Sequence, residues 1–74
     1  MGDEVQIMTT NGGTYAMTFN AEGKVTQCSD DLHYSEIEEA RIEGFNNEPE
    51  NVDWANEKLA QDPNYFRPYT GGLY

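Results

Sequence analysis

Between Val5 and Phe19 the apolar positions alternate with polar ones: Val5 and Ile7 come first, then Tyr15, Met17 and Phe19, with Asn11-Gly12-Gly13 between the two sets. A period of two in β-branched and aromatic residues around such a turn predicts a β-hairpin. The turn residues tolerate positive φ, which tight hairpins favour. A second turn at Asn20-Ala21-Glu22-Gly23 leads into Lys24–Cys28, which predicts a third antiparallel strand. Residues 1–28 therefore read as a three-stranded antiparallel meander. One face is expected to carry Val5, Ile7, Tyr15, Met17, Phe19 and Val25, and that face needs a cover.

Past residue 34 the pattern becomes helical. Ser35 and Glu38 have the spacing of a capping box, in which each side chain accepts from the other residue's backbone amide. A helix from Glu36 to Glu43 follows, with Gly44 suited to end it. Its expected buried positions are Ile37, Ala40 and the aliphatic stem of Arg41, with Phe45 just beyond; Ile42 lies off that stripe. Asn46-Asn47-Glu48 reads as a loop, and Pro49 fits a first helical position, where its missing amide hydrogen costs nothing. The second helix runs from Pro49 or Asn51 to Gln61 and buries Val52, Ala55 and Leu59 with Trp54 at its edge. Asp62-Pro63 stops it, because the residue before proline avoids helical geometry.

Residues 62–74 carry Tyr65, Phe66, Arg67, Tyr69 and Tyr74 without a clean period, and they predict an extended aromatic C-terminal tail lying across the sheet or helices. The expected architecture is a single α+β domain over 1–74: a β-meander (1–28), two short helices (35–61) and the tail (62–74). With 74 residues, five Tyr, three Phe and one Trp, the chain has enough aromatics for a folded but thin core.

Charge changes the picture more than length does. Fourteen Asp and Glu stand against four Lys and Arg, a net charge of −10. Such a field repels nucleic acid and anionic membranes and attracts cationic surfaces, although acidity also serves solubility. The carboxylates are unevenly placed. Glu36, Glu39 and Glu43 share one face of the first helix, and Glu50, Asp53 and Glu57 repeat the spacing on the second. Within each row neighbours are about 4.5 to 6 Å apart along the helix axis. Arg41 and Lys58 are the only helical cations, Asp30, Asp31, Glu38 and Glu48 add to the same half, and the hairpin half is nearly neutral. Solvated faces of amphipathic helices also look like this. Like charges at this spacing nevertheless cost helix stability, and surfaces shaped by solubility alone intersperse the two signs.

A short acidic α/β chain with helix-borne rows such as Glu36/Glu39/Glu43 and Glu50/Asp53/Glu57 resembles the small phage-encoded inhibitors of host defence nucleases, the anti-CRISPR and DNA-mimic anti-restriction proteins. The resemblance is of class and composition. Members of that class share no common signature, so no residue role is carried over. It implies occlusion of a basic, nucleic-acid-binding surface on a host protein by salt-sensitive pairing with partner Lys and Arg. The six row carboxylates are the expected contacts, with Tyr65, Phe66, Arg67 and Tyr69 as secondary interface candidates of the residue types that anchor interfaces. The alternative is a regulatory or structural subunit docking through the sheet edge or the aromatic tail, with acidity serving only solubility.

Catalytic and metal readings have less to stand on. Cys28 and His33 are the only thiol and imidazole, and a nucleophilic pair requires them in contact; otherwise Cys28 is a small strand residue and His33 a turn residue near Asp30 and Asp31. Asp30, Asp31 and Glu36 could gather a hard cation, but an EF-hand loop is absent, zinc lacks its Cys and His, and Asn11-Gly12-Gly13 lacks the Lys and Ser/Thr of a phosphate loop. No cofactor, metal or enzymatic activity is expected. A single cysteine suits a reducing compartment. The start MGDEVQ resembles neither a signal peptide nor, with Gln6, a myristoylation signal, so the expected location is cytoplasmic, the host's cytoplasm if phage-encoded.

Overall fold

The computed structural model describes residues 4–70. Strands β1 (Gln6–Thr10), β2 (Gly13–Phe19) and β3 (Val25–Cys28) are followed by helices α1 (Tyr34–Glu43) and α2 (Pro49–Gln61) and a short strand β4 (Arg67–Pro68). The protein is α+β, and its sheet is antiparallel with four strands in the order β3-β2-β1-β4. The expected three-stranded sheet gains a strand because the tail returns to pair Arg67 with Thr9 and Pro68 with Met8. Two residues show no alternation, and a proline argues against a strand except at an edge, which is where Pro68 sits. Tyr74 lies outside the described residues.

The sheet is covered on both faces, not one. Ile7 pairs with Ala16 and Met8 with Tyr15, so Val5 and Ile7 face away from the side that carries Tyr15, Met17 and Phe19. Ile7 and Ala16 pack with Ile37 and Ala40 of α1, together with half-buried Val5, Leu32, Phe45 and Tyr69. Met17, Val25 and Cys28 pack on the other side with Ala55 of α2 and with Phe66. Both hydrophobic runs form strands, as their alternation indicates, but the hairpin register puts them on opposite faces and not on the single face expected. That register follows from a loop of only Asn11 and Gly12 between Thr10 and Gly13. Positive φ occurs at Gly23 and Gly44 among the described residues, so this loop does not use the left-handed geometry its residues tolerate. Thr10 Oγ1 instead accepts from the Gly12 amide at 2.8 Å.

A bulge adapts β3 to α2. Phe19 pairs with Val25 but Thr18 with Gln27, leaving Thr26 as the extra residue, so Val25 and Cys28 both turn toward α2 although they are three positions apart. Buried Thr18 is satisfied by Thr26 Oγ1 at 2.6 Å. Over α2 the rings of Tyr15, Trp54, Tyr65 and Phe66 interlock, with Trp54 5.3 Å from Tyr15 and 5.5 Å from Phe66 between centroids. Trp54 and Phe66 each pack against the other three rings, Phe66 buried and Trp54 half-buried at the margin of the core. Edge-to-face pairs of this kind add about 0.5–1.5 kcal/mol beyond area burial.

Helix ends follow local chemistry, shifted by two residues from expectation at α1. His33 is the N-cap: its Nδ1 accepts from the Ser35 amide at 3.3 Å, and Glu36 Oε1 accepts from the His33 amide at 2.7 Å. The reciprocal pair is thus His33 and Glu36 instead of Ser35 and Glu38. An imidazole lone pair does the work of the usual hydroxyl. Helix α2 starts at Pro49, as the sequence indicates.

Phe66→Ala should cost about 3–5 kcal/mol by opening the aromatic cluster. Asn56 Oδ1 accepts from the Val25 amide and its Nδ2 donates to the Val25 carbonyl, so Asn56→Ala should cost about 1–3 kcal/mol. Urea unfolding of both variants measures these losses; a neutral Asn56→Ala would show that the edge of β3 does not depend on this clamp.

Candidate functional site

The candidate residues are positioned by the connection that follows β3. Ser29 continues along β2, with its amide donating to the Ala16 carbonyl and its Oγ accepting from the Ala16 amide at 3.0 Å. Asp31 Oδ1 accepts from the Thr14 amide at 3.1 Å, and the Leu32 amide donates to the Thr14 carbonyl at 2.7 Å. A β-carbon on Gly13 would fall 2.5 Å from Asp31 Oδ1, so glycine is what lets that carboxylate come this close. From the other side Asn51 Nδ2 donates to the Ser29 carbonyl at 2.9 Å and to Asp30 Oδ1 at 3.3 Å. The acidic connection is fixed between the sheet and α2.

Two concavities meet at Asp30. The first is lined by Asp30, Glu36, Glu39 and Glu48 over a floor that includes Leu32 and Phe45. The second is lined by Asp30, Asp31 and Glu50 with Tyr15, Asn51 and Trp54. Neither wall contains a Lys, Arg or His. Five of the six carboxylates are exposed and Glu48 is half-buried. Asp31 and Glu36 already bind backbone amides, and Glu36 and Glu50 lie in first helical turns, where the helix dipole favours negative charge. Glu39, Glu48 and Glu50 accept no side-chain hydrogen bond among the described residues.

The expected rows are thus divided. Helices α1 and α2 pack on opposite faces of the sheet, so Glu36/Glu39/Glu43 and Glu50/Asp53/Glu57 do not form one continuous surface. Glu36 and Glu39 from one row and Glu50 from the other converge on the connection, joined by Asp30, Asp31 and Glu48, while Glu43, Asp53 and Glu57 lie outside both concavities. Row spacing alone could not reveal this, because convergence depends on which faces the helices cover. Among the described residues the one ion pair is Glu38 with Arg41, at 3.9 Å and exposed; it neutralises none of the six.

The secondary candidates are largely used inside the domain. Phe66 is buried and Tyr65 and Tyr69 are half-buried, with the Tyr69 amide donating to the Ile7 carbonyl; Arg67 is exposed. The free edge of β3 is also occupied. Asn56 takes both backbone groups of Val25, Asn47 Oδ1 accepts from the Cys28 amide at 2.9 Å, and the Glu48 amide donates to the Cys28 carbonyl. The opposite edge strand, β4, is two residues long and includes Pro68, which has no amide to offer.

Cys28 and His33 are engaged separately. The thiol is wholly buried and donates to the Ser29 carbonyl at 3.4 Å, while exposed His33 caps α1. Burial, with the charge of Asp30 adding, pushes the Cys28 thiol from 9.0 to about 11. The Tyr15 hydroxyl is raised too, by burial first and then by Asp31, with smaller contributions from Cys28, Tyr65 and Asp30. No group of three or more His, Cys, Asp or Glu among the described residues is arranged to hold a metal ion. No helix among them is long and apolar enough to cross a membrane.

Comparison with protein-family models, curated proteins and solved structures returns no match in any of the three. The functional reading rests on geometry and charge.

A raised thiol pKa favours the folded state fully below pH 9.0, and that contribution is lost as pH climbs toward about 11. Urea unfolding at steps across this window should show a steeper fall in stability for the wild type than for Cys28→Ala. Equal slopes would mean that the thiol titrates alike in the folded and unfolded chains.

Proposed function

We propose that the protein is a non-catalytic, acidic protein-binding inhibitor that occludes a basic, nucleic-acid-binding surface on a host protein, in the manner of the anti-CRISPR and anti-restriction class. One observation carries the reading: six carboxylates from three chain segments line two adjoining concavities whose walls contain no cation. A cluster of like charge costs stability by self-repulsion, and here the backbone bonds to Ser29, Asp31 and Leu32 hold part of it in place. Held in this way, the carboxylates offer partner Lys and Arg side chains a preorganised set of acceptors. Docking through a sheet edge or the aromatic tail has less support, since β3's outward groups and most of the tail aromatics are already engaged within the domain.

Location of charge, and not its sum, is what the test must read. A triple variant Glu39→Lys, Glu48→Lys, Glu50→Lys, which spares the capping residue Glu36, and a matched triple variant Glu43→Lys, Asp53→Lys, Glu57→Lys change net charge equally. Calorimetric titration with a Lys/Arg-rich peptide should give binding that weakens about tenfold or more between low salt and about 0.3 M NaCl. The first variant should abolish binding, and the second should reduce it only a few-fold. The wild type, but not the first variant, should protect DNA from a sensitive restriction or CRISPR nuclease. Equal losses from both variants would mean that the acidity acts only as bulk charge.

A further inference from the structure

Helix α1 presents three different faces. Ile37 and Ala40 are buried against the sheet, and Glu36 and Glu39 line the first concavity. The third face holds Tyr34 and Ile42, which are 75% and 73% exposed and are the large exposed hydrophobics of the domain's described residues. At i and i+8 they lie on one side of the helix, about 12 Å apart along its axis, with Glu38 midway at i+4 of Tyr34. In a domain short of core material, two large apolar side chains left in water call for an occupant.

We infer that the Tyr34–Ile42 face of α1 is the apolar anchor of the partner interface, and that it takes an amphipathic, Lys/Arg-bearing segment of a protein whose apolar side chains cover Tyr34 and Ile42. This rests on the basic-surface reading and adds an apolar component to it. Charge complementarity selects the occupant. Glu38 lies between the apolar pair and Glu39 beside Ile42 on the helix surface, and Arg41 is the one cation of the helix, already beside Glu38. A second copy of the chain docked face to face would bring these carboxylates against one another, and an anionic lipid surface would meet the same repulsion. A segment with cations flanking an apolar strip satisfies both parts. The apolar contact is insensitive to salt screening, whereas the rim pairs are not. Such an interface would keep measurable affinity where purely electrostatic binding fades.

Three probes separate the terms: a helical Leu/Lys peptide with its leucines on one face, a scrambled peptide of the same composition, and oligolysine of equal charge. Titrations followed by backbone-amide NMR at about 0.15 M NaCl should give the amphipathic peptide an affinity about tenfold or more above the other two. Shifts should centre on residues 34–43. The double variant Tyr34→Ser, Ile42→Ser should bind all three alike, with thermal stability near that of the wild type because both side chains are exposed. Equal affinity of the wild type for the three, shifts centred away from α1, or a double variant that keeps the preference would each overturn the inference. If no cationic probe binds, the basic-surface reading fails as well; if oligolysine binds as tightly as the amphipathic peptide, only the α1 anchor fails.

Discussion

Everything in this small domain depends on burying β2 from both sides. Ala16 and Met17 are neighbours in sequence, point to opposite faces and are both wholly buried, so neither helix can be moved to the other's face without leaving half of the strand exposed. Small residues make this feasible in a short chain. Ala16 and Ala40 form part of the α1 layer, and Ala55 part of the α2 layer, where larger side chains would hold the layers apart. A single sheet with cover on both sides is an expensive architecture for so few residues, because each core layer is thin. The aromatic cluster around Trp54 and the return of the tail to β1 supply the contact area that two short helices lack.

Two-sided burial also decides where the charge goes. With α1 and α2 on opposite faces, their carboxylates meet only where the chain passes from one face to the other, at residues 29–33 and 44–48. Asn47 and Asn51 hold that region and Asn56 the start of β3, each supplying backbone-like hydrogen bonds from a side chain. They close the edge of β3 and anchor Asp30, so edge protection and the acidic concavities are built by neighbouring groups. A carboxamide suits the task because it donates and accepts in one plane without adding charge.

Much of the fold was legible in the sequence, since alternation marked β1 to β3 and the helical period marked α2 to its ends. What escaped was long-range. The faces of Val5 and Ile7 relative to Tyr15 depend on a hairpin register that one residue of loop length reverses. Strand β4 exists only because β1 offers an edge to it 58 residues away. The site was half legible for the same reason. Spacing within each helix marks Glu36, Glu39 and Glu50, but their convergence with Asp30, Asp31 and Glu48, and the position of Glu43, Asp53 and Glu57 outside both concavities, follow from packing. The three asparagines carried no local signal at all, because their partners lie 19 to 31 residues distant.

The acidic residues differ in what they do within the domain. Asp31 and Glu36 bind backbone amides, and removing either would disturb the fold before it revealed anything about a partner. Glu39, Glu48 and Glu50 make no such bond among the described residues, and Tyr34 and Ile42 bury little of their surface within the domain. A small protein under selection for stability alone would gain by exchanging some of these for neutral or oppositely charged residues, since like charges repel and exposed apolar side chains contribute little. Tyr34, Glu39 and Ile42 lie on α1 and Glu48 and Glu50 at the start of α2, while the neutral hairpin carries none of them; this placement supports the proposal of an interface there.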